Sequence, residues 1–329
     1  MKRRTFLSVG LFALSALAPP LTLARNSIPP VRIGWVSAGQ KEGRRPLIEA
    51  FRQGMSELGY VEGEGYVIDF HWAGDTPKTL DEMESALMHS RPDLVVATCQ
   101  FTSRTALKAT PNVPVVVAGG VDLVSAGLAV SLARPGGSIT GLTSLSPEIA
   151  GKRLELLKEA LPFAARIAVL NQIDTAVGTR SQAELQRAAE VLGVELINYD
   201  LGGTSDYEKV FEDIRARKAD AVLMVAGPTL FFSNRRAVAD LALQSRLPSS
   251  FPTYEFVQEG GMMSLGVDLP ALFRRSALYV DKILKGARPG ALPIEQPTSF
   301  ELTLNLKTAR ALGIDIPQSV LVRADRIIE

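Results

Sequence analysis

The chain has 329 residues, of which 46% are hydrophobic and 22% charged, and a formal net charge of +1. This is ordinary globular usage and does not favour binding to nucleic acid or to an anionic membrane. The single cysteine, Cys99, excludes an intramolecular disulfide.

Residues 1–24 read as an export signal. Lys2, Arg3 and Arg4 form a charged start, Leu7 to Leu23 carries no charge, and Thr22-Leu23-Ala24 places small residues where a signal peptidase reads. The stretch is too short, and too interrupted by Pro19 and Pro20, for a membrane-spanning helix. Cleavage is expected after Ala24, which removes three positive charges and leaves the mature chain near −2. Arg3-Arg4-Thr5-Phe6-Leu7 resembles a twin-arginine signal, and the choice between that route and an ordinary Sec signal is open. No cysteine stands near the cleavage site to carry a lipid anchor, so the mature protein is expected free in a periplasm.

The mature chain alternates short Val-, Ile- and Leu-rich runs with stretches of helical spacing. Val31–Val36 is the first expected strand, and Arg44–Leu58 the first helix, with Leu47, Ile48, Phe51, Met55 and Leu58 on one face and Gly59 as cap. Tyr66–Trp72 reads as a strand, Thr79–His89 as a helix ended by Arg91-Pro92, and Leu94–Thr98 and Val113–Ala118 as strands. Arg134–Gly141, rich in Gly and Pro, reads as the end of a first lobe and the first crossing to a second. The pattern then restarts: strand Arg166–Leu170, helix Arg180–Leu192, strand Val194–Tyr199, helix Tyr207–Lys218, strand Ala221–Ala226, helix Asn234–Gln244. In the tail, Leu269–Leu284 reads as a helix, Gly286–Pro297 as a link, Phe300–Asn305 as a strand and Leu306–Leu312 as a short helix. Alternation of this kind predicts an α/β protein with two doubly wound parallel-sheet lobes joined by a multi-crossing hinge.

Catalytic signatures are missing. His71 and His89, the only histidines, have no Glu or second His at metal-ligand spacing. Gly261-Met262-Met263-Ser264-Leu265-Gly266 has one residue too many for a nucleophile elbow. Gly151-Lys152 lacks the rest of a phosphate-binding loop, and Gly63-Glu64-Gly65 precedes a strand instead of following one. No enzyme activity, metal or cofactor is expected, and Cys99 reads as a buried, inert thiol.

Val130-Ser131-Leu132-Ala133-Arg134-Pro135-Gly136-Gly137-Ser138-Ile139-Thr140-Gly141 resembles the "SLARPGGNVTG" segment of the tryptophan/tyrosine-transport-like family of ABC importer substrate-binding proteins. Gly151–Glu159, Tyr279–Gly286, and Pro293–Thr298 with Phe300-Glu301-Leu302 resemble the same family, in order, from about Val31 to Ile328. The resemblance implies a type I periplasmic-binding-protein fold with a ligand cleft between its lobes, and an ABC permease in the inner membrane as partner. The chain departs from the family at three strand ends. Thr98-Cys99-Gln100-Phe101-Thr102 replaces Gly-Thr-x-x-Ala, Asp122-Leu123 replaces Asp-Pro, and Asn171-Gln172 replaces Asn-Pro.

The expected lobe 1 is residues 28–143 with about 266–290, and lobe 2 is residues 144–265 with about 291–329. Open parallel sheets bind ligands beyond the carboxyl ends of their strands. That rule selects Ser37, Gln40, Gln100, Phe101, Thr102 and Asp122 from lobe 1, and Asn171, Asp174, Thr229, Tyr254 and Glu255 from lobe 2. Thr102 and Ser103 either open a helix that binds a carboxylate or serve as its cap. Asp122, Asp174 or Glu255 would meet a ligand ammonium, with ordering of its own turn the other reading for Asp122. Phe101 or Tyr254 would cover an apolar part, while Trp35, Trp72, Phe231 and Phe232 read as core. The expected ligand is an amino acid or related amphiphile, delivered by hinge closure. Two other readings are a periplasmic ligand-sensing domain for a membrane receptor, and an α/β enzyme using Asp122 with Asp174 or Glu255.

Overall fold

The Val- and Ile-rich runs form strands that are buried on both faces, as their lack of polar alternation requires. The computed structural model describes residues 29–38, 41–73, 77–120, 122–144, 148–171, 176–201, 206–225 and 232–329. The expected export signal lies outside them, as do Gln40, Asp174, Thr229 and Phe231 of the residues considered above.

The first sheet has the order β2-β1-β3-β4-β5 and is parallel throughout. Its strands are β1 (Val31–Ala38), β2 (Tyr66–Ala73), β3 (Leu94–Ala97), β4 (Val115–Ala118) and β5 (Ile139–Leu142). Helices α1 (Arg45–Glu57), α2 (Pro77–Ser90) and α3 (Gln100–Ala109) connect the first four. Pro46 sits in the first turn of α1, where its missing N–H costs nothing, and Leu47, Ile48, Phe51 and Met55 face the sheet. Met83 and Leu87 of α2 and Ala106 of α3 cover the opposite face.

The second sheet has the order β12-β11-β10-β9-β8-β6-β7, parallel except for the antiparallel pair β10–β11. In chain order it comprises α4 (Glu148–Ala160), β6 (Arg166–Asn171), α5 (Ala176–Leu192), β7 (Glu195–Asp200), α6 (Tyr207–Ala216), β8 (Ala221–Met224), α7 (Arg235–Gln244), β9 (Ser249–Phe251), α8 (Tyr254–Gln258) and β10 (Met263–Gly266). The chain then returns to the first lobe as α9 (Leu269–Leu284). It comes back as β11 (Glu301–Asn305), α10 (Leu306–Leu312), α11 (Gln318–Leu321) and β12 (Arg326–Ile328).

Helix α9 is what fastens the C-terminal third to lobe 1. Phe273 lies 5.8 Å from the buried Trp35 ring, which also meets Phe51 at 5.3 Å. At Gly54 the helices α1 and α9 approach so closely that a Cβ would stand 2.2 Å from the Arg274 carbonyl oxygen.

Three chain segments cross between the lobes, and two of them are hydrogen-bonded to each other. Thr143 N donates to Glu295 O at 2.9 Å, and Glu295 N donates to Gly141 O at 3.0 Å. Segments tied side by side can bend together but resist twisting apart.

Several expectations need correction. Arg134–Gly141 is not a crossing: its last residues begin β5, which pairs with β4 through Thr140 and Gly141. The strand is hidden in the sequence by Gly141, which has φ +136° and leaves no room for a side chain, since a Cβ would meet Val117 O at 2.2 Å. The link Gly286–Pro297 stays with lobe 1 as far as Glu295, because Ile294 N donates to Leu132 O at 2.8 Å. Strands β9, β10 and β12 were not expected; they are three or four residues long, and Ser250, Gly266 and Arg326 interrupt their apolar pattern. Trp35 is fully enclosed, but Trp72 is only half-buried, because β2 is the edge strand and Phe70 stacks on it at 6.0 Å without covering it.

Candidate functional site

The carboxyl ends of β1 and β3 carry a small polar cluster. Thr98 Oγ1 donates to Ser37 Oγ at 3.0 Å, and both residues are buried. Thr102, also buried, accepts from Cys99 N at 3.1 Å and donates back to Cys99 O at 3.1 Å. Ser103 donates to the same carbonyl at 2.8 Å. Thr102 thus takes part in the cap of α3, while Ser103 bonds back to the carbonyl four residues before it. Cys99 is buried at the cap position with a free thiol. Phe101, the second residue of α3, is 41% exposed.

Asp122, after β4, is occupied on both oxygens. Oδ1 accepts from Val124 N at 3.1 Å and Ser125 N at 3.0 Å, closing its turn. Oδ2 accepts from Ser125 Oγ at 2.5 Å and from Arg180 Nη1 at 2.9 Å. Arg180 belongs to α5 of the second lobe, so this contact joins the lobes across the strand ends. The carboxylate therefore has a protein cation and three turn donors where a ligand ammonium was expected.

A second contact between the lobes is built on Phe232. The guanidinium of Arg44, just before α1, lies 4.5 Å from the Phe232 ring centroid, and that of Arg235, the first residue of α7, lies 4.9 Å from it. Arg235 also donates to Phe232 O at 3.0 Å and stands 3.4 Å from Glu259. Arg44 is 6% exposed, and burial pushes its guanidinium down to about 10, with the neighbouring Arg235 charge adding to the effect and Cys99 and Glu255 opposing it. Glu255, the second residue of α8, has its Oε2 shut off from solvent with no hydrogen-bond partner among the described residues. Burial raises its carboxyl above the usual carboxylate range, while Thr253 and Arg235 pull it back.

The floor beneath these groups in lobe 2 is held by Arg153 of α4. Its Nε and Nη2 donate to Leu265 O at 3.1 and 2.9 Å, and its Nη1 donates to Met224 O and Val225 O at 3.0 and 2.5 Å. One buried guanidinium thereby ties the carboxyl ends of β8 and β10 together. With no carboxylate beside it, burial lowers it to about 9.

The expected residues thus divide. Ser37, Thr102 and Glu255 lie close to the lobe boundary, enclosed by their own lobes or by Arg44 and its neighbours. Asn171 is buried at the end of β6, with Nδ2 3.4 Å from Gln182 Oε1. Gln100 opens α3 and is half-buried. Tyr254 is half-buried and lies beside Arg326. Arg326 lies 4.8 Å from its ring and is paired with Asp268 and Glu301, which flank the second and third crossings. Phe232 is buried as expected, but it is a partner for cations and not simple filling. Sequence reasoning missed Arg44, Arg153, Arg180 and Arg235. Arg44 stands just before α1 and Arg153 in the middle of α4, both in otherwise amphipathic segments where an arginine normally faces water. Among the described residues no group of His, Cys, Asp and Glu is arranged to hold a metal ion. No helix among them is long and apolar enough to cross a membrane.

Comparison with known proteins agrees with this geometry. A family model described as "ABC transporter substrate binding protein" matches residues 40–328. The chain is 26% identical over 268 residues to a tyrosine-binding protein of Clostridioides difficile, covering 81% of this chain and 76% of that protein. It is similar in structure to an ABC domain from Streptococcus pneumonia in complex with L-Trp. There the TM-score is 0.83 and the identity 25%, over 91% of this chain and 100% of the other. A conserved domain protein from Vibrio cholerae superposes with a TM-score of 0.82 at 26% identity, over 90% and 99% of the two chains.

Proposed function

The chain belongs to the ABC transporter substrate-binding proteins, and on that premise we propose that it captures an amino acid or a related small amphiphile and hands it to an inner-membrane ABC permease, without catalysing a reaction. The observation that carries the proposal is the meeting of two independent α/β lobes at their strand ends. Arg180 reaches Asp122 and Arg44 reaches Phe232 across the boundary, while three chain crossings leave the lobes free to hinge. Closure is driven only by contacts made in the closed form and not in the open one. A solute bridging the two sets of strand ends supplies such contacts, and the permease reads the closed shape. Micromolar capture would need roughly 8 kcal/mol, within reach of a few enclosed hydrogen bonds and an apolar contact. The relatives that bind tyrosine and L-Trp support an amino acid, and the altered strand ends Thr98–Thr102, Asp122-Leu123 and Asn171-Gln172 support a solute that differs from theirs. Export by the residue 1–24 signal into a periplasm completes the proposal.

The test is to denature the purified protein, identify the released small molecule by mass spectrometry, and titrate it calorimetrically into refolded protein. Small-angle scattering should show the particle contract on binding. A protein that releases no solute, binds none and never contracts would overturn the reading.

A further inference from the structure

Among the enclosed charges of the described residues, Arg44 lacks a partner that accounts for it. Arg153 is as deeply buried but donates four hydrogen bonds to carbonyl oxygens. Arg235 has Glu259 and the Phe232 carbonyl. Arg44 is 6% exposed, yet among the described residues its Nε has no hydrogen-bond partner and it enters no ion pair. Its guanidinium lies against the face of Phe232, and the nearby Arg235 charge repels it. A guanidinium has five N–H donors and cannot shed its charge at neutral pH. Folded proteins keep such a group out of water when carbonyl oxygens take its donors, as they do for Arg153, or when an anion meets it, and among the described residues Arg44 has neither. Glu255 is not that anion, since it is not within ion-pair reach.

We infer that Arg44 of lobe 1 is the anchor for a carboxylate of the captured solute, which binds where the lobes meet, with Glu255 of lobe 2 on its other side. The inference rests on the solute-binding reading above and deepens it by naming the acidic group and the residue that takes it. The lobe 2 side of the boundary fits the same class of molecule. Glu255 Oε2 is shut off from solvent, the Thr253 hydroxyl is the hydrogen-bonding neighbour that holds its carboxyl down, and the carboxylate has further lone pairs to accept from a donor carried by the solute. A carboxylate with an adjacent ammonium or hydroxyl, the pattern of an amino or hydroxy acid, satisfies both sides at once. It also bridges the lobes, because Arg44 precedes α1 while Glu255 lies in α8. The planar fork of the guanidinium suits a bidentate carboxylate, and Phe232 fixes the plane of the fork.

The alternative is a lobe-to-lobe latch, in which Arg44 serves the fold and not the solute. The two differ in the empty protein. Removing a latch lowers the melting temperature, whereas removing a buried unpaired charge leaves it unchanged or raises it. Arg44→Gln and Arg44→Lys should therefore be melted without solute beside the wild type, and then titrated with L-tyrosine, L-tryptophan and the compound released from the wild type. Tyramine and tryptamine, which lack only the carboxylate, serve as controls. The expected result is an empty Arg44→Gln protein at least as stable as the wild type. Its affinity should fall about thirtyfold for whichever acid the wild type binds, with partial recovery in Arg44→Lys. A released compound without an acidic group, an unchanged affinity in Arg44→Gln, or a clear fall in the melting temperature of the empty Arg44→Gln and Arg44→Lys proteins would overturn the inference. The first two results leave solute capture standing. A wild type that binds and closes on nothing sinks the solute-binding reading instead.

Discussion

Replacing Arg153 by Met is the sharpest probe of how the second lobe is held. The substitution keeps an unbranched side chain of similar reach but removes all the donors to Met224 O, Val225 O and Leu265 O. These three carbonyl oxygens sit at the carboxyl ends of β8 and β10, around a side chain that is 2% exposed, so water cannot replace the guanidinium without opening the sheet. An orphaned buried acceptor costs roughly 1–3 kcal/mol. Three of them, less what is recovered by no longer burying a charge, give a net loss of about 4 kcal/mol. For a lobe of this size each kcal/mol moves the midpoint by roughly 2–4 °C, which puts the expected fall at about 8–16 °C by differential scanning calorimetry. Arg153→Lys should recover only part of it, because an ammonium offers three donors from a single nitrogen where the guanidinium makes four bonds from three nitrogens spread across a planar fork. A drop of less than about 3 °C in Arg153→Met would show that the carbonyls find other donors and that the clamp does not hold the floor of the site.

The packing of α1 on α9 is tested by Gly54→Ala, whose Cβ would fall 2.2 Å from Arg274 O and 2.9 Å from Ala277 Cβ. The helices must part, at roughly 1–3 kcal/mol, although alanine favours a helix by about 1 kcal/mol; a more stable variant would refute the close approach. Glu255 makes the empty protein sensitive to pH. Burial raises its carboxyl above the usual 4.5, so the folded state keeps a proton that the unfolded chain has lost. Stability should therefore decline as pH climbs from 4.5 to the raised value, and Glu255→Gln should remove that decline in melts across the window; parallel curves would show that the carboxyl is not enclosed. The pair Asp122–Arg180 separates turn from latch. Arg180 is 55% exposed, so Arg180→Ala should cost only about 0.2–1 kcal/mol and shift closure at most about fivefold in scattering titrations. Asp122→Ala also strips Val124, Ser125 and their turn of an acceptor and should lower the melting temperature clearly further; equal effects from the two variants would be the contrary result.

Periodicity along the chain was enough to read the architecture, since an apolar run such as Leu94–Ala97 of β3, or the Leu47–Met55 face of α1, is a local property that survives in any arrangement of the lobes. It failed where a strand is very short or where a glycine is demanded by a neighbour, as Gly141 is by Val117 in β5. Strand-end reasoning picked out Ser37, Thr102, Asp122 and Glu255 by their place in the chain, but not what each would face. Asp122 is taken by Arg180 and Thr102 by the Cys99 backbone. Arg44 looks in sequence like any solvent-facing arginine ahead of a helix. It becomes an enclosed, unpaired cation because Phe232 and Arg235, distant along the chain, come to lie beside it when the lobes meet. Burial of a charge is set by long-range packing, and no local pattern encodes it.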